Sequence, residues 1–103
     1  MKLIYPNFDR NLVNVANSIR QRYGLETYHP SLAEIDQLLA KHNRVVFLLF
    51  DGMGKHMVEK HAKPSSGLTT HRHIPIYSTF PATTVAATNG FLTAQYPIET
   101  GWL

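Results

Sequence analysis

Two stretches of this 103-residue chain hold residue types suited to phosphoryl chemistry. Asp51 follows directly on an apolar run and precedes Gly52-Met53-Gly54. A carboxylate there, with glycine letting the backbone turn sharply, suits a metal ion or a metal-bound phosphate at the end of a strand. The same Asp51 equally suits the N-cap of a following helix. Thr83-Thr84 stands after Phe80-Pro81 and before Val85-Ala86-Ala87. A hydroxyl at a helix mouth meets unpaired first-turn amides with partial positive charge, where a phosphoryl group binds well. An alkoxide would be stabilised there too, particularly beside a metal ion. Capping again serves as the plain alternative, because threonine is a common N-cap. The six histidines add no metal motif. His71 and His73 fall on one side of an extended segment, and His56 and His61 flank a short helix. Neither pair has the HExxH spacing or a companion carboxylate. Gly52-Met53-Gly54-Lys55 lacks the spacing of a phosphate-binding P-loop, and no GxGxxG occurs.

The elements that would position these residues follow from periodicity. Leu12, Val15, Ala16, Ile19 and Tyr23 form one helix face over 9–23, with Asp9 to cap the start and Gly24 to end it. Residues 31–42 repeat the pattern with Leu32, Ile35, Leu38 and Leu39 inward, and Ser31 with Glu34 makes a capping box. The period then changes. Val45-Val46-Phe47-Leu48-Leu49-Phe50 is continuously apolar between Arg44 and Asp51 and reads as a strand buried on both faces. A short helix over about 54–62, a loop at 63–67, a weakly alternating second strand at 74–78 and a helix of small residues over 84–95 complete the layout. Leu3-Ile4-Tyr5 adds a scrap of strand. Two convincing strands are too few, because a central parallel strand needs neighbours on both sides. Trp102 also falls exposed at a ragged end. The reading is therefore an α/β piece of a larger domain, a single incomplete domain over 1–103. Residues 1–43 are its helical lead-in, and 44–103 hold the strand-Asp-Gly and the helix with its threonines. A complete small α+β module is the alternative.

Residues 44–103 together resemble the alkaline phosphatase superfamily. More narrowly, they are similar to its type I phosphodiesterase/nucleotide pyrophosphatase branch. Val45 to Gly54 looks like that branch's opening strand, and 77–101 resembles its nucleophile segment. There a Phe-Pro turn leads to a Thr or Ser, a helix, a Thr-Gly, a Tyr-Pro and a His-Gly. The resemblance implies an alkaline-phosphatase-like three-layer sandwich, a parallel sheet with helices on both faces. It implies Asp51 as the first metal ligand and Thr84 as both nucleophile and metal ligand. The metals would be two divalent ions, usually zinc, and the intermediate a covalent phospho-threonine. The substrate would be a small-molecule phosphate mono- or diester, nucleotides included. Thr79 is a second nucleophile candidate, because Thr-Phe-Pro also occurs at some family nucleophiles, and Thr83 is the neighbour one step away. Ala94 stands where the family has glycine, and Thr100 where it commonly has histidine. The family's remaining Asp and His ligands lie downstream of the matched segment. At most one incomplete metal site is expected here, and the 103-residue chain alone is expected to be inactive.

Composition bounds the rest. With 44% hydrophobic and 17% charged residues, the chain is not of the disordered class, and zero cysteine excludes a disulfide scaffold and a thiolate nucleophile. The longest aliphatic-aromatic run is six residues, far short of a membrane span, and Pro6 interrupts the start too early for a signal peptide. The expectation is a cytoplasmic protein with neither membrane nor nucleic acid as partner. The net charge of +3 comes from scattered Lys and Arg rather than from a clustered basic stripe. A basic nucleic-acid-binding domain is thus a poor rival. The better one is a small non-catalytic α/β module that binds a phosphate-bearing ligand around Thr84.

Overall fold

A computed structural model describes residues 5, 7–50, 54–67, 71, 74–80 and 82–101. The expectations for Leu3-Ile4, Asp51, His73 and Trp102 fall outside them. The elements run α1 (Leu12–Arg22), α2 (Ala33–Ala40), α3 (Lys55–His61), α4 (Thr84–Thr93) and α5 (Pro97–Thr100).

Helix α1 is the hub, and α2 and α4 pack against it. It starts one residue after Asn11 because that side chain accepts from the Val13 and Asn14 amides at 2.8 and 3.1 Å. Asn14 returns the favour by accepting from the Asn11 amide at 3.0 Å. Reciprocal bonding of this kind satisfies the orphan donors of a first turn. Asp9, the predicted cap, instead donates its amide to Asn7 Oδ1. The helix stops at Tyr23, followed by Gly24 at φ +71°. Its buried face holds Val13, Val15 and Ala16, as well as Asn14, Asn17 and Ser18. The predicted stripe had Tyr23 inward, but that ring is exposed.

Helix α2 is shorter than predicted, and its capping box does not form. The Ser31 hydroxyl donates to Asp36 Oδ2 at 2.5 Å. Glu34 turns to Arg10, which grips both carboxylate oxygens, Nη2 to Oε2 at 2.9 Å. That bond to Glu34 raises the Arg10 guanidinium above its ordinary value. Leu32 and Leu39 are buried against α1, whereas Leu38 faces solvent.

The α/β expectation is overturned, and with it the alkaline-phosphatase-like three-layer sandwich with a parallel sheet and helices on both faces. Among the described residues the only β pairing is an isolated parallel bridge between Asn11 and Tyr77. The predicted second strand uses its hydrogen bonds there: Tyr77 donates to Arg10 O at 2.8 Å and accepts from the Leu12 amide at 3.1 Å. Residues 44–50 have the composition of a doubly buried strand and join no ladder. A strand forms only where a neighbour takes up its amides and carbonyls, and the described chain brings none beside them. No helix among the described residues is long and apolar enough to cross a membrane.

Candidate functional site

Helix α4 begins where the small-residue pattern predicted. Thr83 is its N-cap, with Oγ1 accepting from the Ala86 amide at 3.3 Å and its carbonyl from Ala87 at 2.9 Å. The Thr83 hydroxyl is therefore occupied as a cap. Thr84 is the first helical residue and is exposed. Thr79, the other nucleophile candidate, is buried. It lies at a close crossing, where a Cβ added to Gly90 would stand 3.2 Å from Thr79 Cγ2 and 3.3 Å from Gln95 O. Glycine is needed at position 90 because α4 passes so near the 79 segment.

A cavity of about 420 Å³ opens at the head of α4. Ser78, Thr83, Thr84 and Thr88 give it hydroxyls, and Leu12, Ala82 and Ala87 give it apolar wall. Leu49, Phe50 and Gly54 close the remaining side. These three flank Asp51 in sequence, so the two stretches singled out for chemistry meet at one cavity. The stack of Phe47 on Phe91, 3.9 Å between centroids and 14° between planes, pins the 44–50 run along α4. The Tyr77 bridge holds Ser78 beside the head of α1.

The far end of α4 is fixed by residues that periodicity did not single out. Asn17 is fully buried and donates Nδ2 to Ala94 O at 3.0 Å and to Val13 O at 2.9 Å. Its Oδ1 accepts from the Tyr28 and His29 amides at 2.9 and 3.3 Å. Ala94 sits in the left-handed region at φ +55°, the backbone that glycine normally supplies at a helix C-terminus. Its departure from the glycine of the resembled motif is thus a strained one. Tyr96 accepts from Asn11 Nδ2 at 3.0 Å and donates its hydroxyl to Phe8 O at 3.1 Å. Tyr96-Pro97 acts here as a clamp onto the head of α1, with Pro97 buried.

The histidine that makes a network is His29, which was not among the pairs considered from sequence. Its Nε2 donates to Glu99 Oε1 at 2.5 Å, and its ring meets Tyr96 edge-on at 4.5 Å. Glu99 also accepts from the Tyr96 amide at 2.8 Å. That amide bond, reinforced by His29 and opposed by partial burial, holds the carboxyl below its ordinary value. His56 is fully exposed beside Glu59, and His71 is exposed, as their spacing suggested.

The described donors do not make the two-metal centre that the resemblance implies. The cavity lining described contributes hydroxyls and neither imidazole nor carboxylate. Among the described residues no group of three or more His, Cys, Asp or Glu side chains is placed to hold a metal ion. Asp51 alone, with Thr84, would fall short of a closed coordination shell. Comparison of the chain with protein-family models, curated proteins and solved structures finds no match.

Proposed function

We propose that the chain carries the nucleophile segment of a phosphoric ester hydrolase, a phosphodiesterase or phosphatase acting on small phosphate esters including nucleotides, with Thr84 as nucleophile. The observation that carries this reading is the shared cavity. Thr84 lines it at the head of α4, and so do Leu49, Phe50 and Gly54 on either side of Asp51. The first-turn amides of α4 favour the non-bridging oxygens of a phosphoryl group. Thr84 Oγ1 forms the new bond to phosphorus as the ester oxygen leaves, and the hydroxyl proton ends on the departing alcohol. Water then cleaves the threonine ester and restores the hydroxyl. A divalent metal, when bound, supplies charge neutralisation. The described residues do not form its site, so no step is assigned to it. Thr79 is disfavoured as nucleophile because it is buried, and Thr83 because its hydroxyl caps the helix.

The test has two arms. In the 103-residue chain, inorganic phosphate or vanadate should shift the amide resonances of 84–87, and Thr84→Ala should abolish the shift. In the chain extended beyond Leu103 along its reading frame, hydrolysis of a nitrophenyl phosphodiester with zinc or manganese should be lost with Thr84→Ala and Asp51→Asn. Thr79→Ala should retain it. An extended protein with native helical content and no metal-stimulated turnover refutes the hydrolase. If phosphate still shifts 84–87 in that case, the non-catalytic phosphate-binding module replaces it. The hydroxyl-only lining is the observation that favours that second reading.

A further inference from the structure

The run 44–50 combines three properties not shared by another described segment. None of its residues makes a backbone hydrogen bond to a described residue. Its side chains are apolar from 45 to 50. Their exposure alternates: Val46 83%, Phe47 39%, Leu48 70%, Leu49 48% and Phe50 55%. The odd positions turn toward α4, where Phe47 stacks on Phe91 and Leu49 lines the cavity. The even positions turn to solvent. This is the period of a strand already lying on its helix, with an unpaired edge and an uncovered outer face.

We propose that this run is a homotypic interface, where 45–50 of one chain pairs antiparallel with 45–50 of a second copy. The second copy supplies a strand of the same length and the same β-branched and aromatic composition, which the described chain does not place beside the run. Charge selects the direction. A parallel pairing sets Arg44 against Arg44, whereas the antiparallel one brings the Arg44 end of each chain to the end where the sequence has Asp51. A two-fold axis normal to the ribbon keeps Val46, Leu48 and Phe50 of both copies on one face. The exposed side chains of 46–50 amount to roughly 500 Å² per chain at ordinary aliphatic and aromatic areas. Two copies therefore bring together about 1,000 Å², the lower bound for a specific interface, so the dimer is expected to be weak and concentration-dependent. The proposal is independent of the phosphoryl reading.

Light scattering and amide hydrogen exchange on the 103-residue chain test it. The wild type is expected to move from one to two chain masses as concentration rises, with protection at 45–50 that disappears on dilution. Val46→Lys/Leu48→Lys changes only solvent-facing positions and should keep the helical circular dichroism. It should weaken dimerisation by roughly 100-fold or more, because lysines meet across the two-fold axis. A monomer at every concentration overturns the proposal, as do open-ended aggregates or a dimer indifferent to the two lysines. Protection at 45–50 that does not depend on concentration, in this chain or one extended past Leu103, also overturns it, because the occupant is then the same chain.

Discussion

Replacing Asn17 by alanine tests the central claim about how the far end of α4 is held. The side chain is fully buried and ties α1 to Ala94 at the end of α4 and to the amides of Tyr28 and His29. Three tertiary hydrogen bonds disappear together. The Ala94 carbonyl belongs to a buried residue, so its loss costs about 1–2 kcal/mol in stranded desolvation. The Tyr28 and His29 amides lie in a partly exposed segment, where water can replace the acceptor, and each is worth about 0.5–1 kcal/mol. The vacated volume adds to the loss, and the better helix propensity of alanine returns about 0.5 kcal/mol. The net expectation is a destabilisation of about 2–3 kcal/mol against a total of about 5–15 kcal/mol for a chain of this size. That corresponds to a fall in Tm of roughly 10–20 °C, read from circular dichroism at 222 nm. Asn17→Asp sharpens the test. A carboxylate there faces the Val13 and Ala94 carbonyls with no proton to give, so burial raises its pKa. Its neutral form can donate to Ala94 O. The variant should therefore recover stability as pH falls, the reverse of an ordinary acidic residue. A loss below about 1 kcal/mol for Asn17→Ala would refute the reasoning, because desolvated partners left unpaired cannot be that cheap.

Two further outcomes follow from the packing. Gly90→Ala should destabilise by about 1 kcal/mol despite the helix propensity of alanine, because its methyl meets Thr79 Cγ2 and Gln95 O at 3.2 and 3.3 Å. Thr79→Ser in the same chain should recover part of that loss, and a Gly90→Ala protein more stable than wild type in urea would contradict the close crossing. Glu99 has a lowered pKa, so its contribution is present above pH 4.5 and is lost as pH falls through the lowered value. Urea unfolding should show wild type ahead of Glu99→Gln at neutral pH by at most about 1 kcal/mol, given the exposure of the carboxylate, and the gap should close in acid. A gap that persists unchanged at pH 3 would rule out the charge as its source.

Local physics was legible in the sequence wherever a residue acts on its near neighbours. The 3.6-residue apolar spacing located α1 and α2, small residues after Thr83 located α4, and Gly24 marked a stop, because helix faces and caps are set within one or two turns. The meeting of the Asp51 and Thr84 stretches at one cavity agrees with what the motif order suggested, although Asp51 itself lies outside the described residues.

Tertiary structure alone decided what depends on partners distant in the chain. Ser31 and Glu34 have the spacing of a capping box, yet Glu34 goes to Arg10 and Ser31 to Asp36, because a charged pair across two elements outcompetes a local bond. Asn14 and Asn17 read as solvent-facing in a helical wheel and are the most buried polar groups of α1, because the carbonyls and amides they satisfy lie 16, 77 and 11 residues away. Residues 44–50 carry every local mark of a strand. A strand, unlike a helix, satisfies its backbone only against a neighbour, and composition cannot say whether that neighbour is there.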